Sequence, residues 1–151
     1  MVERFGGNGL IPMGQSISIL VVDDNPAMAS ALADVLEVKG FTVHAASSGK
    51  EALEILRDHR IEILLTDVIM PEMNGLDLYR ATRKEYPKLV TIFMTAYAAD
   101  QLIQQGMVEG IKTVLTKPVD ISFMLRLFLA HQKRITEAGT SIWGNGNKPV
   151  K

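Results

Sequence analysis

Apolar runs of strand length alternate with helical patterns along the middle of the chain. Residues 17–22 form the first apolar run, and Asn25-Pro26 then supplies a helix N-cap and a first-turn proline. Later, Ser48 followed by Glu51 fits a capping box. The remaining strands are predicted over residues 41–45, 61–66, 89–94 and 113–116, and later helices over residues 75–86, 100–107 and 121–133.

Five strands that alternate with helices indicate one α/β domain. Several of the strands are continuously apolar, which is typical of a parallel sheet that is covered on both faces. Right-handed crossovers between these strands then give a doubly wound sandwich. In such a sheet the ligand site lies beyond the carboxyl ends of the strands, so that edge is where candidate chemistry is expected.

The two ends of the chain differ from its middle. Residues 1–16 contain four glycines and one proline, and the last residues are similarly rich in Gly and Asn. Neither end can build a periodic apolar face. We therefore predict a flexible N-terminal flank over 1–16, one domain over 17–133, and a C-terminal tail or truncated linker over 134–151.

Composition excludes several classes of function. The 151 residues include no cysteine, which excludes disulfide scaffolds, thiolate zinc sites and cysteine nucleophiles. A formal net charge of −1 gives no basic excess, so direct nucleic-acid binding by this segment is not expected. No apolar run approaches the ~18–20 residues of a membrane span, and the N-terminus lacks the pattern of a signal peptide. We expect a cytoplasmic protein without a membrane partner.

Polar residues follow four of the five predicted strands. Asp23 and Asp24 come after the first strand, Asp67 after the third, Thr95 after the fourth and Lys117 after the fifth. A single Asp at a strand end is usually a turn former or a helix cap. Because parallel strands end at the same edge, however, polar residues at the ends of four strands together predict one polar site.

The chemistry of this set favours phosphoryl transfer. Three close carboxylates repel one another, which should raise the pKa of at least one, and a divalent cation relieves the repulsion. Oxygen ligands alone suit Mg²⁺, with Mn²⁺ as an alternative. A carboxylate beside such a cation can attack phosphorus and form an aspartyl phosphate. Lys117 would balance the charge and Thr95 would donate a hydrogen bond, while Pro118 makes the preceding peptide bond a candidate for the cis form.

Four segments resemble the receiver domain of two-component response regulators, the CheY-like superfamily. They are VVDDN at 21–25, TDVIMPEMNG at 66–75, MTAY at 94–97 and TKP at 116–118. The resemblance covers about residues 17–133, with every motif in order. It implies a flavodoxin-like (βα)5 sandwich whose five-stranded parallel sheet has the strand order 2-1-3-4-5.

The resemblance also implies a role for each site residue. Asp67 would accept a phosphoryl group from a sensor histidine kinase, a phosphotransfer protein or a small donor such as acetyl phosphate. Asp24, Asp67 and the Ile69 backbone carbonyl would bind Mg²⁺, and Asp23 would act through a water molecule of the metal. Thr95 and Lys117 would contact the phosphoryl oxygens. Such a domain is not an enzyme with an external substrate, since it catalyses only its own phosphorylation and dephosphorylation.

One position departs from the usual receiver pattern. Many receivers carry an aromatic switch residue three positions before the lysine, and here that residue is Val114. The coupling of Thr95 to the face formed by helix 4, strand 5 and helix 5 is therefore open, and Tyr97 is a candidate gate.

Two alternative functions are considered, and the output of the domain is left open. A phosphate-independent adaptor would keep the fold for docking alone. A haloacid-dehalogenase-type phosphatase is disfavoured because it needs a second Asp two residues after the nucleophile, where this chain has Ile69. The output is either a separate downstream protein or a missing C-terminal domain, and a homodimer through the helix 4–strand 5–helix 5 face is a further alternative.

Overall fold

The computed structural model describes residues 16–96 and 101–140, with side chains as far as Gln132. The predictions made for residues 1–15 and 141–151 and for Tyr97 lie outside the described residues. The chain divides into two compact units, the first ending at Pro118 and the second beginning at Val119.

Strands and helices alternate from β1 to α5 through the described part of the chain. The strands are β1 (Ser18–Val22), β2 (Thr42–Ala46), β3 (Ile63–Asp67), β4 (Val90–Thr95) and β5 (Thr113–Thr116). The helices are α1 (Pro26–Val38), α2 (Gly49–Asp58), α3 (Gly75–Arg83), α4 (Gln101–Glu109) and α5 (Ile121–Thr140).

All strand pairs are parallel, and the sheet order is β2-β1-β3-β4-β5. The predicted flavodoxin-like architecture and its strand order 2-1-3-4-5 are confirmed. The register explains how distant acids meet. Val22 at the end of β1 pairs with Thr66 of β3, so the next residues, Asp23 and Asp67, emerge side by side. Met94 and Thr95 pair with Leu115 and Thr116, which brings Lys117 to the same edge.

Strands β1 and β3 supply much of the core. From Ile19 to Val22 and from Ile63 to Leu65, every side chain is almost wholly buried, as a strand covered on both faces requires. Each such aliphatic side chain stabilises the fold by about 1.5–3 kcal/mol relative to an exposed one. A second group packs around the start of α3 and α4; we call it the α4 cluster, and it consists of Val68, Leu76, Phe93, Ile103 and Ile111.

Helix starts follow the sequence signals closely, whereas helix ends follow them less well. The Asn25 side chain accepts from the backbone N–H groups of Ala27 and Met28, and Ser48 accepts from Glu51. At α3 a full capping box joins Asn74 and Asp77, which the sequence reading did not identify.

Helices α3 and α5 differ most in length from the prediction. Helix α3 ends at Arg83 rather than at residue 86, and of the residues that are lost from it, Tyr86 directly precedes Pro87, which disfavours helical geometry there. Helix α5 continues to Thr140 rather than stopping at 133, since residues 134–138 include good helix formers. Among the described helices, none is both long enough and apolar enough to cross a membrane.

Candidate phosphoryl-acceptor site

Three carboxylates meet at the carboxyl edge of the sheet. One oxygen from each of Asp23, Asp24 and Asp67 lies within 4.8 Å of the others. Asp23 and Asp67 are buried, whereas Asp24 is exposed. In the described part of the chain, no other group of three or more metal-ligating side chains is this close together. The structure thus brings together the acids that the sequence placed at two separate strand ends.

Local backbone donors fix two of these carboxylates. The Asn25 N–H donates to Asp23 Oδ1 at 2.9 Å, and the Val68 N–H donates to Asp67 Oδ1 at 3.0 Å. Each acid therefore keeps its orientation through the residue or two that follow it in sequence. This leaves the second oxygen of each carboxylate, Oδ2, directed toward a shared cation.

Lys117 is the cation that these two oxygens share. Its Nζ donates to Asp23 Oδ2 at 2.7 Å and to Asp67 Oδ2 at 3.2 Å. The lysine follows β5, and its backbone N–H donates to the Thr95 carbonyl at 2.8 Å. The Lys117–Pro118 peptide bond is cis, in the form for which the sequence made it a candidate.

The charges of the site are unevenly balanced. Burial raises the pKa of Asp67 above its ordinary value, the nearby Lys117 charge opposes that rise, and the Asp23 charge adds to it. A raised carboxyl pKa was predicted from mutual repulsion, and burial proves to be the larger cause. For Lys117, burial by itself would lower the pKa, but the hydrogen bond to Asp23 and the two carboxylate charges raise it overall.

The other predicted residues surround the cluster at different depths. Thr95 ends β4 and is fully buried, and Ile69 is 45% exposed just after the acid of β3. Val114 is half-buried and packs against the α4 cluster, opposite Phe93 in the β4–β5 register. Tyr97, the candidate gate, lies outside the described residues.

The loop after β3 contains a strained residue that sequence reasoning missed. Glu72 has a φ of 67°, and the Met73 N–H donates to the Pro71 carbonyl at 2.7 Å, which closes a γ-turn around Glu72. A non-glycine residue in this region costs about 1–2 kcal/mol. The only hint in the sequence is the turn-forming composition of residues 71–75.

Glycine is required where α3 starts. A Cβ on Gly75 would lie 2.5 Å from the Asp67 carbonyl oxygen and 3.0 Å from Val68 Cα, both of them backbone atoms. The Gly75 N–H also donates to the Val68 carbonyl at 2.8 Å. This close approach holds the start of α3 directly against the end of β3, beside the buried acid.

The donor set suits a hard divalent cation. All three clustered ligands are carboxylates, which favour Mg²⁺ or Mn²⁺ over metals that prefer nitrogen or sulfur. Lys117 offsets one negative charge of three, so a cation adds the charge that the site lacks. The residues present therefore fit the predicted metal.

Comparison with known proteins points to one family. The family described as "Response regulator receiver domain" matches residues 19–128. A response regulator receiver protein of Anaeromyxobacter sp. (strain Fw109-5) is 39% identical over 108 residues, which are 72% of this chain and 45% of that protein. The sensor kinase CckA of Brucella abortus (strain 2308) is 36% identical over 108 residues, which are 70% of this chain and 11% of the kinase. The chain thus spans less than half the length of these two relatives.

Solved structures agree with the sequence comparison. The signal receiver domain of an HD domain-containing protein from Pseudomonas fluorescens Pf-5 superposes with a TM-score of 0.72 at 28% identity. The match covers 79% of this chain and 98% of that one. The fold and its order of elements are therefore shared over nearly the whole of a known receiver structure.

Two matched glycine substitutions test the close approach at the acceptor strand. Gly75 and Gly49 are each the first residue of a helix, after an Asn or Ser cap. A Cβ on Gly75 meets fixed backbone, whereas one on Gly49 meets the flexible Met73 side chain, 2.5 Å from its sulfur. We expect Gly75→Ala to lower the free energy of unfolding by roughly 1–3 kcal/mol, and Gly49→Ala by less than about 1 kcal/mol.

Chemical denaturation of both variants and the wild type measures these losses. We expect the three proteins to have equal m-values, so that a shift in midpoint reports a change in stability. Equal losses in the two variants would show that the backbone contact at Asp67 is not the constraint.

Proposed function

Because the chain belongs to the response regulator receiver family, whose function is to accept phosphoryl groups, we propose that Asp67 is the acceptor. The observation that carries this assignment is the pair of contacts made by the Lys117 Nζ, with Asp67 Oδ2 at 3.2 Å and with Asp23 Oδ2 at 2.7 Å. Of the three acids, Asp67 combines burial with a position at the end of the central strand β3.

The proposed reaction is a displacement at phosphorus. A carboxylate oxygen of Asp67 forms a bond to the phosphorus of the donor, and the bond from phosphorus to the donor nitrogen or oxygen breaks. The donor leaves with that electron pair, as neutral imidazole from a phosphohistidine that is protonated on its other ring nitrogen, or as acetate from acetyl phosphate. The attacking carboxylate must be ionised, and the Lys117 ammonium group favours that form against the effect of burial.

Asp67, Asp24 and the Ile69 backbone carbonyl are the proposed Mg²⁺ ligands, and Asp23 is proposed to act through a water molecule of the metal. When bound, the cation neutralises charge that builds up on the transferring oxygens. The protein itself contributes position. The Val68 N–H holds one carboxylate oxygen, and Lys117 contacts the other, so that the acceptor is oriented before a donor arrives.

Thr95 and Lys117 are proposed to hold the transferred group. Thr95 is fully buried at the end of β4, and its hydroxyl would donate to a phosphoryl oxygen. Lys117 would exchange part of its contact with Asp67 for one with the new dianion. The domain would then catalyse only its own phosphorylation and its own dephosphorylation.

Membership of the family supports a class of partner rather than a particular protein. A histidine kinase or a phosphotransfer protein is the proposed donor, because response regulators and a sensor kinase are among the relatives. The output, in a separate protein or in a further domain, stays a prediction. So do the cytoplasmic location and a homodimer through the helix 4–strand 5–helix 5 face.

Intact mass spectrometry after incubation with acetyl phosphate and Mg²⁺ tests the acceptor. We expect the wild type to gain one phosphoryl group and Asp67→Asn to gain none, because the amide is not a nucleophile toward phosphorus. Asp77→Asn is the control, since Asp77 caps α3 rather than joining the acid cluster. A phosphoryl group that persists in Asp67→Asn would exclude Asp67 as the acceptor. If neither acetyl phosphate nor a panel of histidine kinases labels the wild type, the phosphate-independent adaptor becomes the better description.

Ile69 offers a test of the lifetime of the phosphorylated state. This side chain is 45% exposed beside the acceptor and carries no group that could orient an attacking water. We expect Ile69→Asn to release phosphate roughly tenfold faster or more, since a positioned polar group assists hydrolysis. Ile69→Val is the apolar control and should keep the wild-type rate. The measurement is the decay of the adduct mass after removal of the donor, and equal rates in all three proteins would contradict the hypothesis.

A further inference from the structure

An aromatic ring lies between β4 and the middle of α4. Phe93 is fully buried and belongs to the α4 cluster together with Ile103 of that helix. A Cβ on Gly106 would lie 2.6 Å from Cε2 and 3.1 Å from Cζ of the Phe93 ring. The ring edge therefore packs directly on the backbone of α4, without a side chain of Gly106 between them.

The same strand face leads to the acceptor site. Side chains alternate along a strand, so Phe93 and Thr95, two residues apart, lie on the same face of β4. Both are fully buried. Thr95 at the edge of the sheet and the ring that supports α4 therefore lie on one face of the same strand, two residues apart.

The α4 cluster also includes the residue that follows the acceptor. Val68 is fully buried in the cluster. Its N–H donates to Asp67 Oδ1 at 3.0 Å and to the Met94 carbonyl at 3.1 Å. One apolar cluster thus contacts α4 on one side and the backbone next to Asp67 on the other.

Strand β5 has no aromatic residue at the position that pairs with Phe93. Val114 of β5 is the register partner of Phe93 and packs against the same cluster. A β-branched valine has a single stiff χ1 torsion and no ring that could change its orientation. Of these two strands, β4 supplies the ring that contacts the α4 backbone, while from α3 the Tyr79 hydroxyl donates to the Glu109 carbonyl at the end of α4 at 3.0 Å.

Gly106 is consistent with such a contact. Glycine in the middle of a helix weakens the helix relative to alanine, so its presence here needs a local reason. The reason visible in the structure is the Phe93 ring, which occupies the space that a Cβ would need.

We propose that Phe93 is the positioning residue that couples the state of the acceptor site to α4, through its contact with Gly106. This inference rests on the proposed function, because it supposes that Asp67 is phosphorylated. Phe93 acts through Thr95 and α4 and takes no part in the transfer itself.

Hydrogen exchange measured by mass spectrometry tests the coupling, with and without acetyl phosphate and Mg²⁺. The intact mass of each sample gives the extent of phosphorylation. In the wild type, we expect exchange in peptides from α4 to change about fivefold or more on phosphorylation. In Phe93→Leu, we expect the same extent of phosphorylation but a change in α4 of less than about twofold.

Phe41→Leu is the matched control, since Phe41 is a buried phenylalanine outside the α4 cluster, and it should keep the full response of α4. Thermal unfolding checks that each variant is folded. If Phe93→Leu fails to fold, Phe93→Met keeps more of the side-chain volume and should show the same weakened response.

A full response of α4 in a folded and phosphorylated Phe93 variant overturns the inference. So does a phosphorylated wild type in which exchange in α4 does not change, and in that case the proposed function still stands. A wild type that takes up no phosphoryl group overturns the proposed function and, with it, this inference.

Discussion

The site depends on one lysine that contacts two of three clustered carboxylates. Lys117 contacts Asp23 and Asp67, both buried, while Asp24 remains at the surface without a share in this ion pair. A buried carboxylate that loses its cation is costly, so the lysine is needed for the acids to coexist. It still leaves a net negative charge. That residual charge favours a divalent cation, and in the proposed function the cation would offset the negative charge of the phosphoryl group.

The strand order and register of the sheet bring these charged side chains together. Parallel strands end at one edge, and the order β2-β1-β3-β4-β5 places β1 beside β3 and β4 beside β5. The register then aligns the residue after Val22 with the residue after Thr66. Close backbone contacts, such as that of Gly75 with the Asp67 carbonyl, hold the following helix against the acceptor. The register of the strands and the contact of Gly75 thus determine where the acidic side chains lie.

The strand order was implied only by the resemblance to the receiver family. The sequence pattern itself predicted the parallel sheet and the clustering of Asp23, Asp24 and Asp67, because strand periodicity is local and parallel strands end at one edge. It predicted a raised carboxyl pKa for the wrong principal reason, since burial cannot be read from spacing. The γ-turn at Glu72 and the contact of Phe93 with Gly106 were not predicted. Both depend on backbone geometry and on packing between residues whose proximity is set only in three dimensions.

The measurement that tests the charge imbalance most directly is the thermal unfolding midpoint with and without Mg²⁺, at ionic strength matched with NaCl. A ligand that binds only the folded state raises this midpoint. We expect Mg²⁺ to raise the midpoint of the wild type. We also expect Asp24→Asn to be more stable than the wild type without Mg²⁺ and to gain less when Mg²⁺ is added. Equal gains in the two proteins, or no gain in the wild type, would show that the site carries no charge imbalance for Mg²⁺ to relieve.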